Sequence, residues 1–157
     1  MKLETLFLKI AVILIGIPIL ALCILGLPWI AHEAVDHYPA YLLYPVVIGM
    51  YVTAIPFYFA LYQAFKLLCY IDKNKAFSDL SVKALKIIKY CATIIGIMYG
   101  AGMPLFYLIA QEDDAPGIVV IGLVIMVAPF VIAVFAAVLQ KLLKNAIDIK
   151  SENDLTI

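Results

Sequence analysis

The sequence predicts an all-α membrane protein with four transmembrane helices, and three observations support this fold class. The chain of 157 residues is 66% hydrophobic and 14% charged, whereas a soluble domain carries about 25% charged residues. Its mean hydropathy is +1.09. Four long apolar segments follow one another, and if each of them crosses the membrane, every lysine lies on the same side of it. An apolar excess of this size needs lipid as its solvent, and the length suits one domain, 1–157, without a separate soluble module.

Each apolar segment is long enough to cross a bilayer. A helix rises about 1.5 Å per residue, so about 20 residues cross a hydrocarbon layer of about 30 Å. The first segment carries no charge from Ile10 to Ala31, which is longer than the apolar region of a cleaved signal peptide, about 7 to 15 residues. The predicted spans are about 9–31, 41–65, 88–110 and 118–140, with a loop at 66–87 and a tail at 141–157.

The lysines determine the expected orientation. The stretch Phe65–Lys89 contains six of the eleven lysines, and the other five lie in the two terminal segments. The two loops on the opposite side contain five acidic residues and no lysine. Since lysine-rich loops stay in the cytoplasm, we expect a multi-pass protein with both termini and loop 66–87 on the cytoplasmic side.

The lysine-rich stretch has the pattern of an amphipathic helix. Ser78 is expected to be its N-cap, with the hydroxyl accepting a hydrogen bond from a backbone N–H, and Asp79 suits the positive end of the helix dipole. Apolar residues gather on one side of the following turns and lysines on another. We therefore expect a cytoplasmic amphipathic segment that lies at the membrane surface and then turns into the third span.

Four tyrosines share one face of the second predicted span. They recur at a spacing of seven and then four residues, which places them on one side of a helix. Because a hydroxyl in hydrocarbon requires a partner, this face is expected to point into the bundle. Two interpretations remain open, aromatic packing with incidental hydrogen bonds and a polar-lined ligand groove. The tyrosines are Tyr44, Tyr51, Tyr58 and Tyr62.

The first outer loop contains the residue types of a metal site. Imidazole and carboxylate groups bind zinc and other divalent ions, and a helical loop would bring them together as two pairs four residues apart. Asp113 and Asp114 emerge on the same side of the membrane and could complete a site. The alternative is a hydrated loop at the membrane surface. The candidate metal ligands are His32, Glu33, Asp36 and His37.

The sequence offers little for catalysis or nucleic-acid binding. The predicted spans contain no acidic residue and no histidine, although proton relays and coupled transporters place such groups in the membrane. The sequence shows no nucleophile–base pair and no phosphate-binding glycine loop. Arginine is absent, so bidentate recognition of phosphate is not available. We expect no enzymatic activity, no cofactor and no direct nucleic-acid binding.

Three short segments resemble a bacterial family of domains of unknown function. These segments are Phe65–Leu68 with Ile71–Ser78, Leu85–Ile88, and the C-terminal Glu152–Ile157. The family consists of small membrane proteins with four helices, often encoded beside a Cro-like helix-turn-helix regulator. The resemblance therefore implies a regulatory pairing and the bacterial cytoplasmic membrane as the location. It supplies no catalytic residues to carry over.

The expected function is that of a membrane-bound regulator or sensor. It would recruit or sequester a cytoplasmic protein, such as a helix-turn-helix transcription factor. The alternative is an immunity or envelope-stress protein that intercepts a membrane-active peptide or a lipid-like ligand, and a third option is a small transporter or channel subunit. Homo-oligomerisation stays open. The expected partner-binding residues are Lys73, Lys75, Phe77, Ser78, Glu152, Asn153, Asp154, Leu155, Thr156 and Ile157.

Overall fold

The computed structural model describes residues 3–155, which form helices and short links with no strand among them. A π-helical segment, Leu22–Gly26, joins the first two helices into one unit. This unit and the three helices that follow are each long and apolar enough to cross a membrane, so the prediction of an all-α fold with four candidate spans is confirmed. The helices are α1 (Leu3–Ala21), α2 (Leu27–Ala34), α3 (Ala40–Asp72), α4 (Asp79–Asp113) and α5 (Gly117–Leu155).

The closest packing is between consecutive spans. Helix α1 lies against α3, α3 against α4, and α4 against α5. Small residues allow the last of these contacts: a Cβ atom added at Gly96 of α4 would lie 2.8 Å from the ring of Phe130. A Cβ atom at Gly122 of α5 would lie 3.2 Å from the sulfur of Met103. Glycine therefore sets the close approach of α4 and α5.

The π-helical segment has a local chemical cause. The backbone N–H of Leu27 donates to the carbonyl of Leu22, five residues earlier. The next residue, Pro28, has no N–H, so the carbonyl of Cys23 loses its helical donor. The hydroxyl of Tyr51 on α3 donates to this carbonyl at 2.6 Å. A polar backbone group inside the membrane thus obtains its partner from the neighbouring span.

The helices extend well beyond the predicted spans. We expected a surface helix that turns into the third span, whereas α4 is one continuous helix from Asp79 to Asp113. Its first half contains no glycine or proline before Gly96, so nothing in it interrupts the helical hydrogen bonds. The predicted tail is also helical as far as Leu155. With 39 residues, α5 is about twice as long as the hydrocarbon layer is thick.

Candidate functional site

The lysine-rich end of the molecule contains a groove between the α3–α4 link and the last turns of α5. We call it the tail groove; its volume is about 370 Å³. The side chains of Phe77 and Ile149 are 56% and 59% exposed. The groove joins the two segments that the sequence predicted as partner-binding, because Phe77 comes from the first and Asn153 from the second. The lining residues are Phe77, Ala146, Ile149, Lys150 and Asn153.

A tight turn presents Phe77 at this end. Helix α3 ends at Asp72, and Asn74 adopts a left-handed conformation with φ of 59°, which asparagine tolerates better than most residues. The backbone N–H of Lys75 then donates to the carbonyl of Tyr70 at 2.7 Å, satisfying a terminal carbonyl of the helix. The chain is thereby reversed within six residues, 73–78.

Ser78 occupies the predicted N-cap position, but the predicted capping hydrogen bond is wrong. Its backbone is extended, with φ of −138° and ψ of 160°, and its side chain makes no capping bond. The hydroxyl instead donates to the carbonyl of Lys75 at 2.5 Å. The fully buried Ser81 hydroxyl donates to the same carbonyl at 3.2 Å. A nearby carbonyl acceptor therefore competes successfully with the helix N-terminus, and the two serines stabilise the turn.

The other predicted partner-binding residues belong to the two segments that meet at the tail groove. Lys73 and Lys75 are exposed on the link, and Glu152 and Asp154 are exposed on the last turn of α5. Leu155 is 84% exposed. Thr156 and Ile157 lie outside the described residues.

An ion pair that the sequence did not reveal lies beside the link. The Nζ atom of Lys9 is 2.5 Å from Oδ2 of Asp72, and these side chains are only 11% and 10% exposed. The hydroxyl of Thr5 donates to Oδ1 of the same carboxylate. The Lys9 ammonium also lies 5.7 Å from the ring centroid of Phe65. These contacts connect the start of α1 to the end of α3.

The tyrosine face holds the first span against the second. Tyr51 donates to the Cys23 carbonyl, and Tyr58 donates to the Gly16 carbonyl at 2.8 Å. Tyr44 and Tyr62, at the two ends of the face, are exposed. Tyr58 and Tyr62 also line an open groove between α3 and α4. The two middle hydroxyls thus support the packing interpretation, and the open groove keeps the ligand interpretation available.

The four candidate metal ligands do not converge. Helix α2 ends at Ala34, so Asp36 and His37 lie beyond it. The two histidine–carboxylate pairs four residues apart were predicted for a continuous helix, which this segment is not. His32, Glu33, Asp36 and His37 are all exposed. Between residues 3 and 155, no group of three or more His, Cys, Asp or Glu side chains is arranged to hold a metal ion.

A hydrogen bond joins the two outer loops instead. The hydroxyl of Tyr38 donates to Oδ2 of Asp113. This bond is the main cause that raises the pKa of Tyr38 to about 12, with smaller contributions from burial and from the negative charges of Asp113 and Glu112. The sequence did not indicate this bond, because Tyr38 and Asp113 are 75 positions apart in the chain.

Comparison with known proteins places the chain in a family. The profile of a family described as protein of unknown function (DUF2975) matches residues 29–157. Over 158 aligned residues the chain is 71% identical to the uncharacterized membrane protein YoaS of Bacillus subtilis (strain 168), and the alignment covers 99% of both chains. No solved structure matches the chain. The protein therefore belongs to the DUF2975 family, and it is similar over nearly its whole length to a bacterial membrane protein.

Proposed function

We propose that this protein is a non-enzymatic, membrane-bound regulator that recruits or sequesters a cytoplasmic protein through the tail groove. The observation that supports this proposal is the exposed aromatic side chain of Phe77. It lines a largely apolar groove between the link and the end of α5. An accessible aromatic residue next to a groove is typical of the few residues that dominate a protein–protein interface. Lys150 and Asn153 in its lining provide the polar rim such interfaces have.

The chemistry of the groove restricts its partner. Ala146 and Ile149 offer an apolar surface, while Lys150 and Asn153 contribute a charge and an amide. A matching partner presents an apolar side chain flanked by a carboxylate. The lysines on the link would accelerate the encounter with an acidic surface. The helix-turn-helix regulator implied by the family resemblance is the first candidate to test.

The proposed orientation places the tail groove in the cytoplasm. The lysine distribution supports it through the positive-inside rule. It can be tested with single cysteines, at Asn74→Cys or Asp114→Cys, in a variant lacking the three native cysteines. A membrane-impermeant maleimide added to intact cells should label position 114 and leave position 74 unlabelled until the membrane is opened. The opposite pattern would reverse the orientation.

Site-specific photo-crosslinking tests the docking surface. A benzoyl-phenylalanine at Ile149 should capture a cytoplasmic protein, and the same probe at Leu142 is the control. Both native side chains are 59% exposed on α5, but of the two only Ile149 lines the tail groove. The captured protein, once identified and purified, should bind the intact protein in nanodiscs. Phe77→Ala should weaken that binding about tenfold or more.

Two results would contradict the docking proposal. One is capture of the same proteins from positions 149 and 142, since adhesion to any exposed apolar residue would explain it. The other is unchanged affinity of the purified partner for the Phe77→Ala protein.

A second candidate function is the interception of a membrane-active peptide or lipid-like molecule. It is favoured by the open groove between α3 and α4, about 640 Å³ in volume and lined by exposed residues such as Ile55 and Phe59. A strain lacking the protein would then become sensitive to such a peptide. Phe59→Ala protein should fail to restore resistance while Phe77→Ala protein restores it, and the reverse pattern would favour the regulator.

A further inference from the structure

A cavity of about 260 Å³ lies between the spans, separate from the tail groove and from the open groove. Each of the four spans contributes to its wall, including Cys23 from the π-helical segment, Thr53 from α3, Tyr99 from α4 and Ile125 from α5. The rest of the wall is apolar. The full lining is Ile19, Leu22, Cys23, Leu27, Met50, Thr53, Ala54, Phe57, Ile95, Tyr99 and Ile125.

Hydrogen bonding at the wall gives the cavity a defined polarity. Thr53 is only 5% exposed, and its hydroxyl donates to the carbonyl of Met50 at 2.9 Å. Since the Thr53 proton is engaged by the Met50 carbonyl, we assign the phenol as the donor in the 3.1 Å contact between Thr53 and Tyr99. A phenol has one proton and also accepts. With its proton directed at Thr53, the oxygen of Tyr99, a residue of the cavity wall, can accept a further hydrogen bond but has no proton to donate.

The size of the cavity limits the ligand. A dry apolar cavity of about 150 Å³ binds benzene, so this volume suits about ten nonhydrogen atoms. The wall is mostly apolar, and lipid is the medium from which a ligand would enter.

We propose that this cavity binds a small, membrane-soluble apolar molecule bearing one hydroxyl group, which donates a hydrogen bond to the Tyr99 oxygen. A hydroxylated ring compound or short branched alcohol has the required size and polarity. A molecule of the same shape without the hydroxyl fills the volume but leaves the acceptor without a partner. The proposal rests on this cavity between the spans alone and is independent of the docking function.

The test compares 2-naphthol with naphthalene, which share the ring system and differ in the hydroxyl. Binding to the intact protein in lipid nanodiscs is measured by equilibrium dialysis against empty nanodiscs of the same lipid, which subtracts partitioning into the bilayer. We expect saturable binding at one site per chain, with 2-naphthol about three to ten times tighter. In Tyr99→Phe the two compounds should bind with affinities within about twofold of each other.

A cavity-filling variant distinguishes the interior site from the lipid-facing surface. Ala54→Leu places three additional carbon atoms into the cavity and should abolish the binding of both compounds. Ala101→Leu makes the same change at an exposed position of α4 that is not in the cavity wall, and it should leave both affinities unchanged. Thermal unfolding in detergent verifies that each variant is folded, and Tyr99→Phe alone decides the test if Ala54→Leu does not fold.

The proposal is overturned by any of three results. The first is the absence of saturable binding above empty nanodiscs, which would mean that lipid chains or nothing occupy the cavity. The second is unchanged binding in a folded Ala54→Leu protein. The third is a preference for 2-naphthol that persists in Tyr99→Phe.

Discussion

The ammonium of Lys9 and the carboxylate of Asp72 are separated by 2.5 Å, although the two residues are 63 positions apart in the chain. This pair connects the start of the first span with the end of the second, immediately before the link that presents Phe77. Since both side chains are largely withdrawn from solvent, loss of one charge leaves the other without its counter-ion. The position of the link therefore depends on how α1 packs against α3.

Asp72→Asn should lower the unfolding temperature of the protein in detergent by several degrees, because it leaves the Lys9 ammonium without its counter-charge. Asp79→Asn removes an exposed acid seven residues away and should change the temperature far less. The double variant Lys9→Met with Asp72→Asn should recover part of the loss. Equal losses of unfolding temperature for Asp72→Asn and Asp79→Asn would show that the ion pair has no special role.

Tyr51→Phe should destabilise the protein by about 1 kcal/mol, since it deprives the Cys23 carbonyl of its donor inside the membrane. Tyr44→Phe is the matched control, because Tyr44 lies on the same helix face but its hydroxyl makes no hydrogen bond within the part of the chain that the structure describes. Reversible unfolding in mixed micelles provides the free energy. A loss of the same size in both variants would assign the effect to the tyrosine face in general.

Gly96→Leu should destabilise the protein by about 1 to 3 kcal/mol, because its side chain would meet the ring of Phe130. Gly49→Leu makes the same change on α3, where a Cβ atom has no neighbour within 4 Å, and should cost little or nothing. The same unfolding measurement compares them. Equal stability of the two variants would mean that α4 and α5 can separate without penalty.

The Tyr38–Asp113 bond should depend on pH in the alkaline range. The folded pKa of about 12 lies above the ordinary value of about 10, so the stabilisation is complete below pH of about 10 and is lost as pH rises through 12. The difference in ultraviolet absorbance between the protein and Tyr38→Phe should therefore show a phenol titrating near pH 12. Asp113→Asn should move this titration toward pH 10; an unmoved titration would remove Asp113 as the cause.

The sequence was sufficient for features that depend on composition and local period. Four apolar stretches predict four spans. The spacing of seven residues between Tyr51 and Tyr58 places both side chains on one face of a helix. Both hydroxyls bond to the first span, as expected for polar groups in hydrocarbon. The two predicted partner-binding segments meet at the tail groove because both leave the membrane on the same side.

Features that depend on the relative placement of helices could not be predicted from sequence. The pairing of Lys9 with Asp72 requires knowledge of which helices are neighbours and at what height. The Ser78 error has a different origin: a helix N-terminus and a turn carbonyl both attract a hydroxyl, and sequence alone does not rank them. The metal hypothesis assumed that a helix continues through Asp36, whereas α2 ends at Ala34.

The packing of each span on its sequence neighbour has a consequence for biogenesis. As the chain leaves the ribosome and enters the bilayer, each new helix finds its principal contact already inserted, since α3 follows α1, α4 follows α3 and α5 follows α4. Contacts between sequence neighbours form fastest. Assembly can therefore proceed in step with synthesis, and the tail groove, which requires the end of α5, is completed last.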